Sequence, residues 1–175
     1  MPKYDFTLKF ALAQHDADPD VFVEQLLAEG CDDALIGVGQ HGRIALNFAR
    51  DAATAVEAVL SALSDVQRAI PDSKLVEASP DLVGITDIAK LLGFSRQYMR
   101  KLVVKSGSKF PLPIHEGKPA IWHLATVLTW FMDRKTRNFD EALLGVSRIN
   151  VQCNLFKEAA ELDHDISDRL KSLVA

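Results

Sequence analysis

The chain has 175 residues, of which 48% are hydrophobic, so it is long and apolar enough to form one or two packed domains. No apolar run approaches the ~20 residues that a membrane span needs, and the start Met1-Pro-Lys-Tyr-Asp-Phe6 lacks the residue order of a signal peptide. We therefore expect a cytoplasmic protein with no membrane partner, in which Cys31 and Cys153 are reduced core thiols rather than a disulfide.

The net charge of −4 is unevenly divided along the chain. Residues 1–80 carry 6 Lys and Arg against 13 Asp and Glu, a net of −7, and residues 139–175 carry 4 against 7, a net of −3. Residues 81–138 carry 10 against 4, a net of +6. This asymmetry indicates one nucleic-acid face on an otherwise acidic molecule.

Residues 1–80 contain six segments with the periodicities of strands and helices. The order strand, helix, strand, strand, helix, strand predicts a ferredoxin-like domain, an antiparallel sheet with two helices on one face. This architecture carries many functions, so the role of the domain stays open between assembly of subunits and sensing of a ligand. The segments are Tyr4–Leu12, Val21–Glu29, Ala34–Val38, Ile44–Phe48, Asp51–Ile70 and Lys74–Ala78.

The stretch Gly37-Val-Gly39-Gln-His-Gly42 has the spacing of a dinucleotide-binding motif. That motif requires a strand before it and a helix after it, whereas residues 43–48 alternate like a strand. We therefore interpret these glycines as the turn of a β-hairpin.

Residues 85–102 have the pattern of two short helices joined by a tight turn. Thr86 is the predicted cap of the first helix, Gly93 ends it in the left-handed conformation, and Ser95 caps the second helix. A small residue, Ala89, allows the two helices to cross closely. The predicted inward positions are Ile88, Ala89 and Leu92 on the first helix and Met99 and Leu102 on the second.

The outward side of the second helix is basic and predicts a DNA-recognition helix. In a helix-turn-helix this helix lies in the major groove, where Arg matches guanine and Gln matches adenine in bidentate geometry. The alternative is an ordinary helical hairpin with a solvated basic face. The predicted DNA-contacting residues of this helix are Arg96, Gln97, Tyr98, Arg100 and Lys101, with Lys105 on a phosphate.

The following residues predict a β-wing and a third helix. Phe110-Pro-Leu-Pro113 is extended, Ile114–Pro119 is a predicted hairpin, and Ala120–Trp122 returns as a strand. Lys109 and Lys118 are the predicted phosphate contacts of this wing. Residues 123–133 then form a helix, so residues 81–138 are predicted to be a winged helix-turn-helix domain.

Residues 84–132 resemble the winged helix-turn-helix of the MerR superfamily, particularly its small AlpA- and excisionase-type branch. The resemblance is carried by residues 85–95, by Phe110-Pro-Leu-Pro113, and by a hairpin that closes on Trp122 before a helix with Val127 and Trp130. It covers somewhat under a third of the chain. It implies binding of double-stranded DNA, usually in regulation of transcription or recombination. Thr126 and His123 stand where the family often has an acidic residue and an arginine.

Residues 139–175 predict a C-terminal amphipathic helix. Its apolar residues recur at spacings of three and four, close to a heptad period. Such a stripe either packs on its own chain or forms the seam of a homodimer. The stripe consists of Leu155, Ala159, Leu162, Ile166, Leu170 and Leu173.

The sequence contains no known catalytic motif, and none of its five histidines shares a metal-ligand spacing with a cysteine. We expect no enzyme activity, no metal and no cofactor. The first functional hypothesis is a sequence-specific, dimeric regulator that binds double-stranded DNA. The second is a protein-interaction adaptor or antitoxin-type protein, in which the acidic N-terminal domain binds a protein partner and DNA binding is autoregulatory.

Overall fold

The alternating segments of the N-terminal half form one four-stranded sheet. Its strands are β1 (Lys3–Ala11), β2 (Ala34–Gly37), β3 (Arg43–Asp51) and β4 (Lys74–Ser79). In the computed structural model, which describes residues 1–134 and 139–174, they lie in the order β2-β3-β1-β4. All three neighbouring pairs are antiparallel. The fold is therefore mixed α+β, which confirms the predicted class.

Helices cover one face of this sheet. The first two are α1 (Val23–Ala28) and α2 (Ala55–Ala69), and the side chains beneath them form an apolar core. Phe6 stacks on Phe48 across β1 and β3, with the ring centroids 5.1 Å apart. The fully buried members of this core include Leu8, Phe10, Leu26, Ile44, Leu46, Val59 and Val66.

The predicted limits of these two helices were too wide. Residues Pro19–Phe22 form a 3-10 helix ahead of α1, and Val21 is 70% exposed. Because β3 continues to Asp51, α2 begins only at Ala55, where the side chain of Thr54 accepts a hydrogen bond from the backbone of Glu57.

The glycine-rich stretch forms a hairpin turn, as predicted. β2 ends at Gly37, and β3 begins at Arg43 in antiparallel pairing with it. Gly42 has a φ of +70°, and a Cβ at this position would lie 2.3 Å from the carbonyl oxygen of His15. Only glycine fits at this position of the turn. The close approach of the backbone explains Gly42, so a dinucleotide-binding site is not needed to explain it.

Both cysteines are free thiols that contact the first apolar core. Burial, with a smaller contribution from Asp65, raises the pKa of the Cys31 thiol from 9.0 to about 11. In a C153S variant at pH 8, we expect Cys31 to react with a disulfide reagent about 100-fold or more slowly than in urea, because the buried thiolate is scarce. Equal rates in buffer and in urea would contradict the buried position of Cys31.

A second apolar core is formed by described residues between Val83 and Leu144. Its helices are α3 (Ile85–Leu92), α4 (Arg96–Ser106) and α5 (Leu124–Asp133), and its short strands are β5 (Leu82–Val83) and β6 (Trp122–His123). The predicted inward residues of α3 are buried, as is Met99 of α4, whereas Leu102 is half-buried. Sequence patterning missed β5, which pairs antiparallel with β6 and joins the start of this unit to the start of α5.

The C-terminal segment consists of two helices rather than one. These are α6 (Glu141–Ala159) and α7 (His164–Val174), with a turn between them. α6 packs between the two cores, since Val146 belongs to the first core and Leu144 to the second. The predicted stripe is therefore interrupted, and its residues from Leu155 to Leu173 are exposed instead of facing α2 or α5.

Candidate nucleic-acid interface

α3 begins one residue after Gly84, not at a cap supplied by Thr86. The backbone N–H of Gly84 donates to Asp87 Oδ2 at 2.9 Å, so Asp87 satisfies the first orphan donor of the helix. Thr86 lies inside the first turn, and the prediction of its capping role was wrong. The carboxylate of Asp87 also suits the positive end of the helix dipole.

The turn between α3 and α4 has the predicted construction. Gly93 adopts the left-handed conformation with φ 67° and ψ 31°, and the N–H of Phe94 donates to the carbonyl of Ala89 at 2.8 Å. Ser95 Oγ then accepts a hydrogen bond from the N–H of Tyr98 at 3.1 Å and so caps α4. These local bonds fix the angle at which α4 leaves the turn.

α4 buries one side and exposes the residues predicted to contact DNA. Met99 is fully buried in the second apolar core, and this fixes the rotation of the helix about its axis. Tyr98 is 48% exposed and leans on Phe94, with their ring centroids 4.9 Å apart. The exposed residues of α4 are Arg96, Gln97, Tyr98, Arg100, Lys101, Val104 and Lys105.

Arg96, Arg100 and Lys118 line one groove between α4, the start of α3 and the loop before β6. The groove has a volume of about 760 Å³. Arg96 and Arg100 are four residues apart and therefore lie on the same side of α4. The loop is held by a narrow bridge in which the N–H of Ile121 donates to the carbonyl of His115 at 3.1 Å. The structure thus brings two helix cations and one loop cation together.

Lys109 does not belong to this hairpin, contrary to the predicted wing contact. It lies in a 3-10 helix, Gly107–Lys109, at the far end of α4. Its carbonyl accepts a hydrogen bond from the indole N–H of Trp130. Lys109 is exposed, but it borders a surface shared with Trp130 and Asp133 rather than the groove that holds Lys118.

Among the described residues, the predicted cations have no counterion. Within residues 1–134 and 139–174, all ion pairs involve other side chains, such as Arg50, Arg68 and Lys9 in the N-terminal unit. Their charges are therefore available to an external anion. The unpaired cations are Arg96, Arg100, Lys101, Lys105, Lys109 and Lys118.

A buried polar junction connects this unit to the sheet, and sequence patterning did not find it. The amide of Asn154 donates to the carbonyl of Ala78 at 2.8 Å and to Asp81 Oδ2 at 2.7 Å, and its Oδ1 accepts from the N–H of Ala78 at 2.8 Å. Asp81 Oδ1 accepts from Nδ1 of His123 at 2.6 Å. The side chain of Asp81 is fully buried. The junction thus links β4, α6 and the start of α5.

Other kinds of site find no support in the described parts of the chain. No three side chains of His, Cys, Asp or Glu there are grouped so that they could hold a metal ion. None of the helices described combines the length and apolar character needed to cross a membrane. No protein-family model, curated protein or solved structure matches the chain.

Proposed function

We propose that this protein binds double-stranded DNA in a sequence-specific manner and regulates transcription. The observation that carries the proposal is the outward side of α4, where exposed cations that form no ion pair with any described residue flank Gln97. An α-helix fits the major groove, and its first turns meet the base edges. An ordinary solvated helix would satisfy the same exposure, so affinity and sequence preference must be measured.

The position of each predicted residue along α4 or in the loop indicates which part of the DNA it would contact. Arg96, Gln97 and Arg100 lie in the first turns of α4 and would contact base edges, with Tyr98 beside them. Lys101 and Lys105 continue toward the end of α4 and would contact phosphates, as would Lys109 in the 3-10 helix that follows. Lys118, across the groove from Arg96 and Arg100, would contact the backbone as part of a wing.

The finer architecture is also part of this proposal. Residues 1–80 are assigned to a ferredoxin-like domain, supported by the strand order β2-β3-β1-β4 and by two helices on one face. Residues 84–132 are assigned to a MerR-type winged helix-turn-helix, supported by the turn at Gly93 and the bridge at His115. A cytoplasmic location, where DNA is accessible, accompanies this assignment.

The decisive experiment is a titration of the full chain against mixed genomic fragments at several salt concentrations, with the bound fragments sequenced. Enrichment of one site that survives rising salt supports specific binding. Weak binding that vanishes uniformly with salt reflects backbone attraction alone and contradicts the proposal. In that case the alternative, an adaptor whose acidic N-terminal domain binds a protein partner, is tested by copurification.

Arg100→Ala is expected to weaken binding to the enriched site by about 1–3 kcal/mol, because Arg100 is placed to contact a base. Arg43→Ala is the matched control, since Arg43 is an exposed arginine on β3, away from the groove. Fluorescence anisotropy with the enriched site and a scrambled one measures both affinities. Equal affinities of wild type and Arg100→Ala, with intact folding, would exclude Arg100 from the interface.

A further inference from the structure

The last helix, α7, presents an apolar stripe that the rest of the described chain leaves uncovered. Its large apolar residues are between 47% and 79% exposed, and neither apolar core includes a described residue beyond Cys153. Asp163 Oδ1 caps the helix by accepting from the N–H of Ile166 at 3.1 Å. A helix of 11 residues is nevertheless marginal in water without a packing partner. The stripe consists of Ile166, Leu170 and Leu173 on α7, with Leu162 in the turn before it.

The charges of α7 are segregated along its length. Asp163, Asp165 and Asp168 lie toward its start, whereas Arg169 and Lys171 lie toward its end. At 3.6 residues per turn, Asp165 and Arg169 flank the same side of the apolar stripe. Asp168 and Lys171 lie on the opposite side of the helix, where they form an ion pair at 2.6 Å.

We propose that α7 binds α7 of a second copy of this chain, in antiparallel orientation about a two-fold axis. With the axis near Asp168, Ile166 packs against Leu170 of the second copy, and Arg169 lies beside Asp165 of the second copy. A parallel pair would instead place the acidic halves together. The same surface of α7 thus supplies the apolar seam and two opposite charges, Asp165 and Arg169. A surface that is complementary to itself in this way is what self-association requires.

The dimer does not depend on DNA, so this inference goes beyond the proposed function. Its consequence for DNA does rest on that function, because a dimer carries two α4 helices and would bind paired half-sites. The enriched DNA site is then expected to be pseudopalindromic.

Sedimentation equilibrium of the full chain without DNA tests the seam. We expect twice the chain mass of 19.3 kDa for the wild type and the single-chain mass for a variant with I166D and L170D. Circular dichroism checks that the variant is folded. A wild type that stays monomeric across the micromolar range, or a variant that stays dimeric, overturns the proposal.

Charge exchange tests the orientation without changing the apolar residues. D165R and R169D are each expected to weaken self-association roughly tenfold, and their combination is expected to restore it. The matched control combines D168K and K171D, which exchange the ion pair on the opposite side of α7 and leave self-association unchanged. A combination of D165R and R169D that fails to restore the dimer overturns the antiparallel contact. Loss of DNA binding alone leaves all these masses unchanged, so the two proposals fail separately.

Discussion

Replacing Arg50 by methionine is expected to lower the free energy of unfolding by about 3–5 kcal/mol, although Arg50 does not line the groove of the candidate interface. Arg50 lies on β3 and is only 7% exposed. Its Nε and Nη2 donate to the two oxygens of Asp33 at 2.8 and 3.0 Å, and its Nη1 donates to Asp65 Oδ2 at 2.6 Å. The side chain therefore ties the sheet to α2 and to the turn before β2.

The expected loss arises from the groups that the substitution leaves behind. Nη2 of Arg50 also donates to the carbonyl of Gly30 at 2.7 Å, and Nη1 donates to Ser61 Oγ at 3.0 Å. Without the guanidinium, Asp33 and Asp65 are largely buried carboxylates that lose their main counterion. Methionine fills a similar volume, so the change isolates these polar interactions rather than a cavity.

Urea unfolding monitored by circular dichroism measures this effect. Arg68→Met is the matched control, because Arg68 also pairs with Asp65 but its side chain is 51% exposed. We expect a far smaller change for Arg68→Met, since solvent replaces an exposed ion pair at little cost. If the two variants lose the same stability, the network around Arg50 does not contribute as the buried geometry implies.

The alternation of β3 illustrates what the sequence could predict about the sheet. Ile44, Leu46 and Phe48 mark the inward face correctly, and Arg50 is the next position on that face. The alternating pattern therefore predicted the strand and its inward face correctly, and the last inward position of that strand is the charged residue Arg50. It could not identify Asp33 and Asp65 as the counterions, because they lie 17 and 15 residues away and meet Arg50 only after the sheet and α2 have packed.

At the candidate interface, local chemistry was predictable and distant contacts were not. Gly93 and Ser95 act within one turn of their own positions, so their roles follow from residue type. The position of Lys109 depends on a hydrogen bond to Trp130, which is 21 residues away. α3 begins after Gly84 rather than at Thr86 because Asp87 accepts a hydrogen bond from the N–H of Gly84, a choice that residue type alone did not determine.

On α6, polar residues are buried and large apolar residues are exposed, contrary to the usual pattern. On α6, Ser147, Asn150 and Asn154 are buried, whereas Leu155 and Phe156 are 49% and 80% exposed. Of the two predicted alternatives for the C-terminal stripe, packing on its own chain does not hold for Leu155, which is exposed on α6. Asn154 is buried because the backbone of Ala78 and the carboxylate of Asp81 require hydrogen-bond partners, whereas Ser147 donates to the carbonyl of Leu143 on its own helix.

Asn154→Leu is expected to lower the free energy of unfolding by about 3–5 kcal/mol, because it leaves three buried polar groups without a partner. These are the N–H and carbonyl of Ala78 and one oxygen of Asp81. Leucine branches at Cγ as asparagine does but is larger, so the added bulk contributes to the expected loss as well. Gln152→Leu is the control, because Gln152 is exposed on the same helix, and we expect little change from it.

Hydrogen exchange of the Asn154→Leu variant shows whether the substitution loosens α6 alone or also the elements that the junction connects to it. Because Asn154 bonds β4 directly and reaches His123 through Asp81, we expect faster exchange in β4, in α6 and at the start of α5 together. Faster exchange confined to α6 would mean that the junction does not couple the sheet to the helix-turn-helix unit. Joint loosening would instead make this junction the route by which binding at the sheet could alter the orientation of α4.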